Sequence, residues 1–182
     1  MYIEPKIESS YQKNNLGYTI YETILELNPK VVIDFGILYG YSTVTIAQAL
    51  KDIGEGGKVI AYDLYEDYEY KNSIRSVVEK NIKYYGVDDI VELKYGNFYQ
   101  WVDNPDNFDL IHLDISNTGN IIKLATNKLP NKNILFEGGS KERDNENWVE
   151  KYNKTKIYTL KSEIGYEILN EQWPSISLVR GQ

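Results

Sequence analysis

Short, near-continuous apolar runs alternate along the chain with stretches whose apolar residues recur at helical spacing. That alternation predicts βαβ units around a mainly parallel sheet. A first helix is expected over Thr19–Leu27, where Ile20, Ile24 and Leu27 share one face. Pro29 ends it, because the residue before a proline avoids the helical region. Val31–Phe35 reads as a strand covered on both faces. A helix capped by Ser42 or Thr43 follows, with Ile46, Ala49, Leu50 and Ile53 as its buried stripe. Gly54, Gly56 and Gly57 turn the chain into a second strand, Lys58–Asp63. A longer helix is expected over Lys71–Tyr85, with Ile74, Val77, Val78 and Ile82 inward and Gly86 as its stop. Ile90–Tyr95 is the third strand, and a short helix carries Phe98, Trp101 and Val102. Phe108–Asp114 and Asn133–Phe136 are the fourth and fifth strands. A polar helix spans Asp144–Tyr152, and Tyr166–Asn170 with Ser175–Val179 form a closing hairpin. The result is a single α/β domain, doubly wound and Rossmann-like. Its sheet has seven strands and a C-terminal antiparallel hairpin.

Composition sharpens this picture. The chain has 182 residues, 42% of them hydrophobic, enough for one domain that buries a sheet between helical layers. No apolar stretch is long enough to span a membrane. Met1–Ser10 lacks the basic start and apolar run of a secretion signal, so a cytoplasmic protein is expected. Cysteine is absent and His112 is the single histidine, which removes zinc sites and leaves oxygen ligands, suited to Mg²⁺ or Ca²⁺. A net charge of −7 argues against nucleic acid as a partner. The 17 tyrosines against four phenylalanines supply core and rim aromatics whose hydroxyls reach water.

The candidate chemistry centres on Asp34-Phe35-Gly36-Ile37-Leu38-Tyr39-Gly40-Tyr41-Ser42, which joins the first strand to a helix N-terminus. Glycines there let the backbone approach a ligand, and the unpaired N–H groups of the helix start face it. A dinucleotide fingerprint would carry a second glycine at Leu38. Its absence disfavours NAD or FAD and leaves a nucleoside without a pyrophosphate acceptable. Asp63, at the tip of the second strand, is placed to hold the two hydroxyls of a ribose. Each part alone is also what an ordinary turn would show; together they point to nucleoside binding.

These residues, with Gly17, the run Asn28–Gly36 and Gly40-Tyr41-Ser42, resemble class I S-adenosylmethionine-dependent methyltransferases of the catechol and caffeoyl-coenzyme A O-methyltransferase type. The likeness continues through Val59–Asp63, Gly86-Val87-Asp88 and Phe108–Asp114, and weakens thereafter. It implies S-adenosyl-L-methionine as cofactor, with Asp34, Gly36 and Gly40 along its methionine part and Ser42 near the carboxylate. Asp63 would hold the ribose and Leu64 would pack near the adenine, with Gly96, Asn97 and Phe98 at the adenine edge. Asp114 would also face the cofactor. Metal-dependent members hold Mg²⁺ with an Asp after the fourth strand and an Asp-Asn pair after the fifth, and place a lysine three positions after the first Asp. Here Asp114 and Glu137 stand at the carboxylate positions, Gly138 replaces the Asn and Asn117 replaces the lysine. Metal dependence is therefore the less favoured reading.

The function expected is methyl transfer from S-adenosylmethionine to an oxygen of a small-molecule acceptor, a metabolite or sugar. A cofactor-binding module without transfer activity is the alternative. Asp114 and Glu137 are the candidate bases, with His112 third, although a buried, hydrogen-bonded histidine is its simpler reading. The polar, glycine-rich stretch after the fifth strand is the candidate substrate wall, through Glu137, Ser140, Lys141 and Arg143. So short a chain has little insertion for a substrate domain. The remaining walls are expected from the N-terminal segment, with Tyr11–Tyr18 as a lid, or from a second subunit of a homodimer.

Overall fold

Five of the expected apolar runs pair side by side as parallel strands: β1 (Val31–Phe35), β2 (Lys58–Asp63), β3 (Val91–Tyr95), β4 (Leu110–Leu113) and β5 (Asn133–Glu137). Two more, β6 (Glu167–Asn170) and β7 (Ile176–Val179), complete the sheet in the order β3-β2-β1-β4-β5-β7-β6. The computed structural model describes residues 1–70, 73–145 and 147–181. The expected doubly wound sheet is borne out. Within its terminal hairpin, β7 runs antiparallel to both neighbours and inserts between β5 and β6.

Strand alternation sorts the core into two layers. Val32, Val59, Ala61, Leu110 and Leu135 point to one face, where Ile20 and Ile24 of α1 (Leu16–Leu27), Val44 and Ala47 of α2 (Tyr41–Ile53) and Val78 and Ile82 of α3 (Arg75–Tyr84) cover them. Ile33, Phe35, Ile60, Ile111, Leu113 and Phe136 point to the other, under Phe98 and Trp101 of α4 (Phe98–Trp101) and Ile121, Ile122 and Ala125 of α5 (Gly119–Lys128). Continuous apolar runs are what a sheet buried on both faces requires. None of the described helices is long and apolar enough to cross a membrane.

Four elements differ from expectation. α5 was not anticipated, although Thr118 caps it by accepting from the Ile121 amide, and Ile121, Ile122 and Ala125 form its buried stripe. α3 begins at Arg75; Lys71 and Asn72 of the expected helix lie outside the described residues. Ile74 is therefore the residue preceding that helix, 48% exposed rather than inward. The polar helix after β5 is two short pieces, α6 (Lys141–Asp144) and α7 (Asn147–Lys151), on either side of Glu146, which is outside the described residues. A last short helix, α8 (Lys161–Ile164), precedes β6.

The strand order reverses between β1 and β4, whose neighbours lie on opposite sides. Ligands of open α/β sheets sit outside the carboxyl ends of strands at such a point, which is where the Gly36–Gly40 turn and Asp114 emerge.

Candidate functional site

The turn after β1 is held by three residues at positive φ: Gly36 at 82°, Leu38 at 48° and Gly40 at 90°. A Cβ on Gly36 would lie 2.0 Å from the Asp114 carbonyl oxygen, so the turn meets the tip of β4 backbone to backbone. Gly36→Ala is expected to cost at least about 2 kcal/mol, from the left-handed backbone and the clash together; denaturant unfolding measures it. Gly40 starts α2 with no side-chain cap, leaving its first N–H groups to suit an anionic group of a ligand.

Asp63 faces this turn. Its carboxylate accepts from the Leu38 amide at 3.1 Å and from the Tyr65 amide at 2.7 Å. Burial raises its pKa, while these amides oppose the rise. An ionised carboxylate offers about four acceptor sites, so hydroxyl donors such as those of a ribose can join these amides. Leu64 is half-buried beside it, and Gly96 donates its amide to the Asp63 carbonyl at 3.2 Å. Asn97 caps α4 through the Tyr99 amide. Phe98 departs from its expected place at the adenine edge: its ring is buried against Phe35 and Trp101, so only its backbone is left to border a base.

Asp34 is also differently employed. Its side chain is 0% exposed and sits beneath the turn. One oxygen accepts from Ser42 Oγ at 2.9 Å and Thr43 Oγ1 at 2.7 Å, and the other from His112 Nδ1 at 2.7 Å. Asp34 thus supports the Gly36–Gly40 turn from below instead of lining a ligand. Ser42 still borders the cleft, with its hydroxyl proton committed to Asp34. The pairing with His112 follows from register: Asp34 and His112 are cross-strand partners in the β1–β4 pair.

The cleft encloses about 280 Å³ between Gly36–Leu38, Tyr41, Ser42 and Asp114 on one side and Glu8–Tyr11 on the other. The N-terminal residues at this cleft are Glu8–Tyr11, so of the expected Tyr11–Tyr18 lid only Tyr11 lines it. A shallow depression of about 410 Å³ lies before the amino ends of β4 and β5, around Phe108 and Leu129; it holds none of the candidate residues. Asp114 is half-buried at the cleft wall. Burial and then the neighbouring Glu137 carboxylate push its pKa up to about 6, against the pull of His112, Tyr11 and Arg143.

Glu137 is not free to act as a base or a metal ligand. The buried Arg143 guanidinium brackets its carboxylate, with Nε at 3.1 and 3.2 Å from the two oxygens and Nη2 at 2.9 Å. Nη2 also donates to the Asn117 carbonyl at 2.7 Å. Asn117, where the lysine was expected, uses its amide to tie the Leu113 and Glu137 carbonyls together, at 2.7 and 2.8 Å. A divalent cation between Asp114 and Glu137 would have to displace a guanidinium from a buried ion pair, and the described residues form no cluster of three or more His, Cys, Asp or Glu that could hold one. These residues do not fit Mg²⁺. Added Mg²⁺ is expected to leave the thermal unfolding of the domain unshifted, and a shift that EDTA reverses would refute this. His112 is likewise 0% exposed and cannot itself meet an acceptor. Ser140 caps α6 through the Arg143 amide, so of the expected substrate wall only Lys141 is exposed.

The family described as a methyltransferase domain matches residues 33–132, from β1 through α5. That is more than half of the chain. The chain belongs to this methyltransferase family. Catechol O-methyltransferase B of Danio rerio is 30% identical over 104 residues, covering 54% of this chain and 36% of that protein. The chain therefore spans about a third of the length of this relative. Among solved structures, the Bacillus cereus O-methyltransferase in complex with SAH has a TM-score of 0.65 at 19% identity, covering 97% of this chain and 84% of its own. The SAH-bound Podospora anserina methyltransferase PaMTH1 gives 0.64 at 16%, covering 97% and 80%. At these identities the likeness shows the fold, and the methyltransferase domain here has that fold over nearly its whole length.

Proposed function

We propose that this methyltransferase domain binds S-adenosylmethionine across the tips of β1, β2 and β4 and transfers its methyl group to a hydroxyl of a small acceptor, with Asp114 as the base. The observation that carries the reading is the juxtaposition of the Gly36–Gly40 turn with the Asp63 carboxylate on one side and the Asp114 carboxylate on the other. The cofactor itself supplies the reactive sulfonium methyl. The chain supplies alignment, exclusion of water and removal of the acceptor's proton. Asp63 would take the ribose hydroxyls, and the uncapped start of α2 the methionine carboxylate. A net charge of −7 favours a small acceptor over nucleic acid, and the catechol O-methyltransferase relative makes catechol the first acceptor to try.

Titration calorimetry with S-adenosylhomocysteine tests the cofactor half. Asp63→Ala is expected to weaken binding by about 100-fold or more, the loss of two hydrogen bonds to a charged group. Unchanged affinity would remove the assignment. Formation of S-adenosylhomocysteine in the presence of catechol and other hydroxylated acceptors separates an enzyme from a module that only binds the cofactor.

A further inference from the structure

Behind Asp114 runs a chain of buried polar groups that methyl transfer does not by itself require. Tyr11, carried by the segment over the cleft, is 2% exposed, and its hydroxyl lies 3.2 Å from His112 Nε2. Tyr11 and Asp114 line the same cleft, and the Asp114 carboxylate is among the groups that act on the phenol. On the far side of the ring, Nδ1 meets Asp34. An ionised Asp34 can only accept, which places a proton on Nδ1 and leaves Nε2 to accept from the Tyr11 hydroxyl whenever the ring carries a single proton.

We propose that Tyr11 passes the proton Asp114 takes from the acceptor onward to His112, making Asp114-Tyr11-His112-Asp34 a proton relay sealed within the fold. The acceptor's O–H proton goes to Asp114 as its O–CH₃ bond forms and the S–CH₃ bond breaks, turning sulfonium into thioether. The proton on Asp114 then moves to the Tyr11 oxygen as the Tyr11 proton moves to Nε2. Asp114 ends as a carboxylate and His112 as an imidazolium held by Asp34, with charge and protons balanced. Burial and the carboxylates of Asp114, Glu137 and Asp34 hold the Tyr11 phenol well above its ordinary pKa, so it remains a neutral group that donates and accepts at once. Those three carboxylates act on this phenol, Arg143 acts in turn on Asp114, and Glu8 lines the same cleft. Tyr11 acts through Asp114 and is a relay residue, not a catalytic one.

The inference rests on Asp114 as the base, but its test needs no acceptor. His112 is the only histidine, so protein labelled with ¹⁵N-histidine gives one imidazole to follow by NMR. Four proteins are compared at pH 7: wild type, Tyr11→Phe, Asp114→Asn and the double variant. The expected result is a ring with Nδ1 protonated, whose Nε2 signal moves on Asp114→Asn in the wild-type background and stays put in the Tyr11→Phe background. Equal movement in both backgrounds, no movement in either, or a ring already protonated at Nε2 would overturn the relay. If Asp114→Asn does not fold, wild type against Tyr11→Phe decides it, because removing the phenol must shift Nε2. Failure here leaves the methyl-transfer assay untouched, and failure of that assay leaves this cycle interpretable.

Discussion

Asp114→Asn is expected to leave S-adenosylhomocysteine affinity within about threefold of wild type while slowing methyl transfer by about 10²- to 10⁴-fold, the usual contribution of a positioned base. The amide keeps the size of the carboxylate at the cleft wall and removes only its capacity to take a proton. The pH dependence gives an independent check. Asp114 is raised to about 6 by burial and by Glu137, and it works as a base only when ionised. In the wild type kcat/KM should therefore rise with pH through about 6 and level off above it, and the variant should lose that limb. A variant with wild-type rate, or a wild-type profile flat from pH 5 to 8, would remove Asp114 from the reaction.

Arg143→Met is expected to unfold the domain far more easily without being a direct lesion in the chemistry. It leaves the Glu137 carboxylate buried with its strongest partner gone, and breaking a buried ion pair in this way costs about 3–5 kcal/mol. For a chain of this size that is a fall in Tm of roughly 6–20 °C, at ~2–4 °C per kcal/mol. The double variant Arg143→Met with Glu137→Leu should recover part of the loss, because Glu137 is then no longer stranded, while the buried Asp144 carboxylate, 3.9 Å from the guanidinium, still loses it. Calorimetry on the two variants separates the pair from simple packing, and equal melting of Arg143→Met and wild type would show that the guanidinium contributes nothing.

Most of the sheet was legible in the sequence because strands buried on both faces write themselves as near-continuous apolar runs, as in Val31–Phe35 and Ile134–Phe136. Helices were less so. α5 carries Ile121, Ile122 and Ala125 after a capping Thr118, a readable pattern that the neighbouring strands overshadowed. The start of α3 was misplaced because Ile74 has the right spacing for an inward position but precedes the first turn. In the site, the glycine turn and Asp63 were readable, since backbone demands fix residue types there. Roles that depend on strand pairing were not. Asp34 and His112 each sit on an alternating strand position, yet only the β1–β4 register brings them together. Arg143 and Glu137 were read as substrate contacts on a polar loop, and Glu137 also as a base, because nothing in a sequence announces that two opposite charges will be buried against each other. Phe98 fell to the same limit: an aromatic after a glycine suits an adenine edge as well as a core beneath it.

Gly36 packs against the Asp114 carbonyl, and the Asp114 amide donates to the Phe35 carbonyl at 2.9 Å. The turn proposed to grip the cofactor and the carboxylate proposed to take the proton are therefore bolted to one another and cannot be retuned separately. Laboratory evolution toward new acceptors would find little freedom at these two strand tips, and would draw its gains from Glu8–Tyr11 and the exposed side of the turn at Lys141.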